Sequence, residues 1–320
     1  MGTDMDCRHL LSRFDDLMVD ERHRSLTLQA LEWSLQRAVD PDFSRHAKEA
    51  FLSSTFEVFC APRSPTAKES LLSIKFLLIF FKADDAPIPM LSEFIAQLDG
   101  RQDTDKTSPP GELQACYDEL IADFHALRCD PSGFQGALRD MCHAMRSEKQ
   151  FDKEAMTVSE FRRLRKHSVG VPSYTECWRT IRGFSFSRTL ADELRRHAIL
   201  DTAAELAYLA NDIGSIDRDE QTARADPQSV DPNFVMLRMR DLGTREGALD
   251  EVIALHNTKV ADFRRVEHQL LKSEHGNDPA LHGYLEILRC TVNGNLATTN
   301  HLVPMRYEGA AEPLSRLEPL

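Results

Sequence analysis

One stretch of this 320-residue sequence constrains fold and chemistry together: Asn211-Asp212-Ile213-Gly214-Ser215-Ile216-Asp217-Arg218-Asp219. Residues 211, 215 and 219 fall at i, i+4 and i+8, so on a helix their oxygen-bearing side chains share one face. Hard cations such as Mg²⁺ take oxygen ligands and keep some waters for a phosphate-bearing partner. A carboxamide, a hydroxyl and a carboxylate in a row therefore predict half of a metal site. The alternative interpretation is a solvated helix face that matches by chance.

A second acidic element lies far upstream, where Asp84 and Asp85 follow the apolar run 71–81. Two adjacent carboxylates at the end of a buried helix repel each other, and their desolvation is costly unless they reach water, a cation or a partner. The helix macrodipole adds to the cost, because a helix C-terminus disfavours negative charge. A bound cation would reverse the penalty. The alternative is a polar turn in which Pro87 ends the helix.

Two further features carry positive charge. Arg165 precedes a helix break at Gly170 and Pro172, and the pair Arg306-Tyr307 lies near the C-terminus. An arginine before glycine and proline also serves to cap a helix C-terminus, and a terminal Arg-Tyr pair also serves to pack. Both interpretations stay open on the residues alone.

Helical periodicity dominates the chain, and strand-like alternation is nearly absent. Apolar residues recur at three- and four-residue spacing in residues 24–37, 113–127, 186–213 and 247–272. Turn residues interrupt the pattern at residues 40–41, 61–65, 101–111, 130–133 and 275–279. Connections this short favour one antiparallel helical bundle. We expect an all-α, single-domain protein over residues 1–320, with residues 1–20 and 308–320 as mobile termini.

Composition excludes several classes of function. The net charge is −12, with 51 acidic against 39 basic residues, which argues against binding to a nucleic-acid backbone. Seven cysteines lie far apart and read as reduced thiols rather than a zinc or redox site. The longest apolar run is too short to span a bilayer, and the acidic N-terminus lacks the pattern of a signal peptide. We therefore expect a cytoplasmic protein that binds neither nucleic acid nor membrane.

Taken together, the motifs between residues 84 and 307 resemble, in order and spacing, the class I terpene synthases, in particular the single-domain microbial cyclases. The resemblance implies an all-α bundle with its active site in the core and Mg²⁺ as cofactor, in a cluster of three ions. It implies the metal ligands Asp84, Asp85, Asn211, Ser215 and Asp219. It implies the catalytic residues Arg165, Gly170, Arg306 and Tyr307, with Arg165 sensing the diphosphate. It implies the substrate-binding residues Arg165, Arg218, Arg306, Tyr307 and Phe81, and allows a homodimer.

The sequence departs from the family pattern in three places. No third acidic residue follows Asp84-Asp85 until Glu93, and the second motif ends in Asp219 where the family has glutamate, with Glu220 next to it. Either carboxylate could be the third ligand. The last long helix lacks a tryptophan in residues 294–300, so we expect a wider and less aromatic cavity where that stretch, including Thr298 and Thr299, lines it.

The implied substrate is a linear all-trans prenyl diphosphate, and the expected wider cavity slightly favours geranylgeranyl over farnesyl diphosphate. The implied product is a cyclic terpene hydrocarbon or alcohol. The polar stretch 221–233 follows the second motif and is a candidate lid or a plain solvated loop. Two rival functions remain: a chain-elongating prenyltransferase and a non-catalytic helical binding or scaffold protein.

Overall fold

The computed structural model describes residues 7–37, 42–100, 111–152, 155–226, 232–307 and 309–320. Within these ranges the chain is helical and contains no strand. A 3₁₀ turn at Ser12–Leu17 follows the first helix. The helices are α1 Cys7–Leu11, α2 Glu21–Leu35, α3 Phe43–Cys60, α4 Ala67–Asp85, α5 Ile88–Leu98, α6 Glu112–Ala126, α7 Ser132–Gln150, α8 Val158–Ser168, α9 Val171–Arg182, α10 Arg188–His197, α11 Ile199–Ala225, α12 Phe234–Leu242, α13 Arg245–Leu271, α14 Pro279–His301, α15 Val303–Arg306 and α16 Ala311–Ser315. The predicted all-α fold is confirmed.

Helix α4 carries the first acidic pair to the centre of the bundle. It begins with a capping box, in which the Thr66 side chain accepts from the Glu69 amide while the Glu69 carboxylate accepts from the Thr66 amide. Its apolar residues, including Phe76 and Ile79, are almost completely buried. The helix packs against α2, α3, α6 and α9. Apolar residues thus surround most of α4, and both its phenylalanines and its acidic end reach the cavity described below.

Helix α11 is one of the two longest helices described and packs against α8, α9, α12, α13 and α14. The whole stretch 211–219 lies on it, as its spacing predicts. The helical signal over 186–213 is divided between two helices, however, because Ala198 adopts φ +50° between α10 and α11. Leu194 and Ile199 are both buried, yet five residues apart on one straight helix they would point about 140° away from each other. The break lets both reach the core.

A second break separates α8 from α9 at the predicted position. Gly170 has φ +81°, in the left-handed region that favours glycine, and Val171 then starts α9. A Cβ on Gly170 would lie 2.6 Å from the Phe80 ring of α4. Glycine is therefore required at this position for two reasons: the positive φ of the backbone and the aromatic ring packed against it.

The cysteines and the chain ends follow simple packing rules. The six cysteines whose side chains are described are free, and Cys60, Cys116, Cys142 and Cys177 among them are buried. In the last described segment, Leu320 exchanges hydrogen bonds with Asn293 of α14. The single-domain division and the expected mobility of the termini stay predictions. None of the described helices is long and apolar enough to cross a bilayer.

Candidate active site

An apolar cavity opens in the core of the bundle, and the space free of protein atoms in it and at its mouth, open solvent included, is about 820 Å³. One wall is aromatic and consists of Phe56, Phe76, Phe80 and Phe81 from α3 and α4. Helix α14 contributes Thr291 and Asn295 to the lining. The other lining residues are Cys60, Leu77, Asp84, Arg165, Ser168, Val169, Gly170, Val171, Tyr174, Asn211, Arg306 and Tyr307. Polar groups thus meet a predominantly apolar interior, as is typical of small-molecule sites.

The acidic end of α4 lies at the mouth of this cavity. Asp84 is half-buried and lines the apolar cavity, whereas Asp85 is exposed. Both aspartates also line a wider, polar opening together with Arg218, Asp219 and Arg306. The Asp84 backbone carbonyl accepts a hydrogen bond from the Lys149 ammonium. The first predicted motif and the end of the second therefore share one opening.

The second motif forms a row of oxygens along α11. The Ser215 hydroxyl donates to Asp219 Oδ2 at 2.6 Å, and the Tyr307 hydroxyl donates to Asn211 Oδ1 at 3.0 Å. Ser215 is almost completely buried, while Asn211 and Asp219 are partly exposed. The three side chains share the face that their spacing predicts, and the outer two reach the cavity and its mouth.

Asn233 fixes this row from the N-terminus of α12, and the sequence did not reveal it. Its Nδ2 donates to Ser215 Oγ at 3.1 Å, to Asp219 Oδ2 at 2.9 Å and to the Asp212 carbonyl at 2.9 Å. Its Oδ1 caps α12 by accepting from the amides of Val235 and Met236. One buried amide therefore joins the candidate metal helix to the segment that follows it. Residues 227–231 of the predicted lid lie outside the described residues.

Arg165 is connected to α11 through Asp212. Its Nη2 donates to Asp212 Oδ1 at 3.1 Å, and its Nη1 lies 3.6 Å from Glu148 Oε2. Burial raises the pKa of Asp212 to about 6, although the Arg165 charge and the Phe234 amide, which donates to Oδ2, favour the ionised carboxylate. Glu148 in turn accepts from Ser168 at the helix break. Arg165 is thus held between two acids while it lines the cavity.

Two arginines lie close to the aromatic ring of Tyr307. The guanidinium carbons of Arg218 and Arg306 lie 5.9 Å and 5.7 Å from the centre of the Tyr307 ring, within the range of cation–π attraction. Gly214 lets Thr299 of α14 approach α11, since a Cβ there would lie 2.7 Å from the Thr299 methyl group, whereas the Tyr307 ring at 3.7 Å would be in ordinary contact. The arrangement gathers positive charge at the mouth of the cavity.

These oxygens suit a hard divalent cation. In the described ranges, no three His, Cys, Asp or Glu side chains are placed to hold a metal by themselves. The available donors are instead a carboxamide, a hydroxyl and carboxylates, which suit Mg²⁺ bound with waters and a phosphate ligand. Asp219 belongs to the row because its Oδ2 accepts from Ser215, while its Oδ1 pairs with Arg218 at 2.8 Å. Glu220 pairs with Arg245 at 3.5 Å and with Arg224 at 3.8 Å. The contact with Ser215 favours Asp219 over Glu220 as the third donor, and this assignment stays a prediction.

Most of the predicted site residues converge, but Ser215 is buried and lines neither the cavity nor its opening, and two residues of α14 lie elsewhere. Asp84, Phe81, Arg165, Gly170, Asn211, Arg306 and Tyr307 line the cavity, while Asp85, Arg218 and Asp219 line its opening. Thr298 and Thr299 are buried but do not line the cavity, and Thr299 packs against Gly214 instead. On that wall Thr291 and Asn295 face the cavity. Their assignment as metal or substrate ligands stays a prediction.

A helical bundle with an apolar core cavity and such an opening defines the class I terpene synthases, and the comparisons agree. A family model described as terpene synthase family 2, C-terminal metal binding, matches residues 83–262. That match spans more than half of the chain, so the chain belongs to this family and is a class I terpene synthase. No curated protein matches the sequence.

Solved structures share the fold at low sequence identity. Linalool/nerolidol synthase from Streptomyces clavuligerus superposes with a TM-score of 0.70 at 14% identity, covering 88% of this chain and 99% of that one. 2-Methylisoborneol synthase from Streptomyces coelicolor A3(2) gives 0.71 at 16% identity, covering 90% and 92%. A protein from ancestral sequence reconstruction gives 0.72 at 16% identity, covering 90% and 88%. At these identities the likeness extends to the fold.

Proposed function

We propose that this terpene cyclase catalyses the Mg²⁺-dependent cyclisation of a linear all-trans prenyl diphosphate. The observation that carries the proposal is the junction of two surfaces at one opening. Oxygen donors and arginines meet there, directly above a cavity with an aromatic wall. A molecule with an anionic head and a long hydrocarbon tail fits both surfaces. The solved complex of linalool/nerolidol synthase with 2-fluorogeranyl diphosphate supports this class of ligand.

The metal would be held by Asp84 and Asp85 on one side and by Asn211, Ser215 and Asp219 on the other. When bound, Mg²⁺ supplies Lewis-acid stabilisation of the departing diphosphate. The carboxylates and the oxygen dipoles of the neutral donors would attract the cation. The positive charge that remains on the cation would then attract the diphosphate. Acidic side chains alone would repel that diphosphate.

The arginines act on the diphosphate directly, and the tyrosine acts through Asn211. Arg165 and Arg306 line the cavity, so their guanidinium groups can donate to diphosphate oxygens and stabilise the charge that develops as the C–O bond breaks. Arg218 lies at the opening and adds a further positive charge. The Tyr307 hydroxyl, which donates to Asn211 in this structure, is placed to orient the same carboxamide.

The cavity receives the allylic cation that diphosphate departure leaves behind. Phe56, Phe76, Phe80 and Phe81 present aromatic rings, whose faces attract cations, and they exclude water from the hydrocarbon. Attack by the substrate's own double bonds then closes the ring. The product is a cyclic hydrocarbon if the final cation loses a proton and an alcohol if it captures water.

The chain length of the substrate depends on the size of the cavity, and two parts of the cavity lining favour different lengths. The short polar side chains of Thr291 and Asn295 leave room on the α14 side of the cavity, which favours the C20 substrate geranylgeranyl diphosphate. The four phenylalanines of the lining are bulky and take up space, which favours the C15 substrate farnesyl diphosphate. We keep geranylgeranyl diphosphate ahead because the α14 wall lacks an aromatic residue.

The test is incubation of purified protein with geranyl, farnesyl or geranylgeranyl diphosphate, with Mg²⁺ or with a chelator, followed by gas chromatography and mass spectrometry. We expect a cyclic product from one substrate and none under chelation. Asn211→Ala should lose the product. Asn300→Ala is the matched control, because this exposed amide donates to the Leu296 carbonyl of its own helix. Product formation that survives chelation would overturn the metal-dependent proposal.

A further inference from the structure

A buried acid lies directly behind the cavity and plays no part in the chemistry described so far. Glu57 of α3 has no solvent exposure, and its neighbours Phe56 and Cys60 both line the cavity. In the described part of the chain no cationic nitrogen lies within salt-bridge distance of its carboxyl group, and Oε1 has no hydrogen-bond partner. Tyr174 of α9, which lines the cavity, donates from its hydroxyl to Glu57 Oε2 at 3.4 Å. The tyrosine thus links the acid to the cavity.

This location changes the acid–base behaviour of Glu57. Burial raises its pKa to about 8, although the hydroxyls of Ser73, Ser70 and Tyr174 and the charge of Arg22 favour the ionised form. On the order of one tenth of the molecules then carry the carboxylate at pH 7, and most carry it at pH 9. A carboxyl group that is half-ionised near pH 8 is partly a carboxylate at working pH, and in that form it can accept a proton.

We propose that Tyr174 and Glu57 form a proton relay that ends the reaction by removing a proton from the final carbocation. This inference rests on the proposed function and specifies its last step. The C–H bond next to the cationic carbon breaks, and its electron pair forms the C=C bond of the product. The released proton passes to the Tyr174 oxygen as the Tyr174 hydroxyl proton passes to Glu57 Oε2. The carboxylate becomes a carboxylic acid, which later returns its proton to water.

The relay accounts for charge as well as atoms. A carbocation in the cavity is attracted to a carboxylate in a low-dielectric surrounding, and the two charges cancel when the proton moves. Asp84, Arg218 and Arg306 line the opening, whereas Glu57 lies behind the α3 and α9 wall. Ionisation and quenching would therefore take place at different groups.

The other groups around Glu57 do not titrate in the same range. Burial raises the pKa of the thiols of Cys60 on α3 and Cys177 on α9, and that of the Tyr174 hydroxyl, above their ordinary values. Helix α2 contributes Arg22, and α4 contributes the hydroxyls of Ser70 and Ser73. Helix α14 faces Cys60 with the Thr298 hydroxyl and Cys290, whose thiol pKa burial also raises. A pH effect on product quenching near pH 8 would thus report on Glu57.

The test compares the ratio of olefin to alcohol products in wild type, Glu57→Gln, Tyr174→Phe and the double variant. Glutamine keeps the shape of glutamate and can still accept from Tyr174, but it cannot take up a proton. We expect the wild-type ratio to rise as pH passes through about 8 and the ratio in each variant to be pH-independent and lower by about 10²-fold. The double variant should match the single variants, because both residues serve one step.

Ser53→Ala is the matched control. Ser53 lies one turn before Glu57 on α3, and its buried hydroxyl makes no hydrogen bond among the described residues. It should keep the wild-type ratio and its pH dependence. The ratio is measured at each pH, so changes in the rate of ionisation cancel from it.

Four outcomes are decisive. An unchanged ratio in folded Glu57→Gln would overturn the relay while leaving the cyclase assignment intact, and so would a wild-type product that is alcohol alone. A ratio that falls equally in Ser53→Ala would show a packing effect and would also overturn it. No product from the wild type with any of the three substrates would overturn the proposed function and the relay together.

Discussion

The ends of α4 and α11 line the same opening, yet they are built in different ways. On α11 each oxygen donor is already held: Asn211 by Tyr307, and Ser215 and Asp219 by Asn233. On α4 the acidic pair lies at a helix C-terminus, with Asp85 exposed to solvent. Described hydrogen bonds organise the α11 side before any ligand binds, and the α4 side keeps two carboxylates at a helix end whose dipole disfavours negative charge.

This difference indicates a division of labour between the two sides. Preformed hydrogen bonds lower the cost of ordering a metal site, because few side chains must be immobilised when the cation binds. A bound cation lowers the free energy of carboxylates at a helix C-terminus more than that of carboxylates outside the unfavourable helix dipole. We therefore expect α11 to set the geometry of the metal site and α4 to supply much of its charge.

The largest effect should come from breaking the α4 side at the residue that faces the cavity. Asp84→Asn should lower kcat/KM by about 10²–10³-fold, because a carboxylate next to the reacting diphosphate is lost. Asp85→Asn should cost less than about tenfold, since that side chain is exposed and its charge is screened. Steady-state kinetics with the accepted substrate measures both. Equal losses would show that the two carboxylates are equivalent ligands.

The next effect separates two neighbouring acids on α11. Asp219→Asn should lower kcat/KM by about 10²-fold, because it removes the carboxylate held by Ser215 and Asn233. Glu220→Gln should change it by less than about threefold, since it weakens partly exposed ion pairs with Arg245 and Arg224. The same assay checks both variants. A larger loss in Glu220→Gln would assign the third donor to Glu220.

The preorganisation itself can be removed without touching a proposed ligand. Asn233→Ala should raise the Mg²⁺ concentration needed for half-maximal activity by about 10–100-fold, as expected for a group that orients metal ligands. Activity should return at high Mg²⁺. A magnesium titration of turnover, beside the Asn300→Ala control, measures the shift. An unchanged magnesium requirement would mean that α11 needs no such support.

The smallest effect concerns the cavity wall rather than the metal side. Gly170→Ala and Gly183→Ala both place a side chain at positive φ, at +81° and +67°, which costs about 1–2 kcal/mol. A Cβ at 183 meets no atom within 4 Å, whereas at 170 it meets the Phe80 ring. Gly170→Ala should therefore be about 1–2 kcal/mol less stable than Gly183→Ala in urea unfolding. Equal stabilities of the two variants would show that the Phe80 ring moves aside at no measurable cost in free energy.

The sequence predicted features that are local in the chain. The helical face of Asn211, Ser215 and Asp219 follows from spacing alone, and the break after Arg165 follows from Gly170 and Pro172. Each prediction needed information from within about nine residues. Their meeting at one cavity was inferred from the family resemblance, because spacing carries no information on which helices are neighbours.

The features that the sequence did not reveal depend on contacts between distant segments. Asn233 reads as the end of a polar loop, yet it binds residues 14 to 21 positions earlier. The break at Ala198 has no glycine or proline to announce it. Glu57 did leave a signal, a charged residue between Phe56 and Val58 in a buried helix, but its partner Tyr174 lies 117 positions away.

The contact between Gly170 and Phe80 bears on how such an enzyme can diversify. Where a wall of the cavity is backbone with a ring packed on it, substitution cannot reshape that wall without strain, so selection has little variation there to act on. The α14 wall consists of ordinary side chains at Thr291 and Asn295 and can change by single mutations. New products should therefore arise on the α14 side, and libraries aimed at positions 291 and 295 should yield more folded variants with altered products than libraries aimed at 80 and 170.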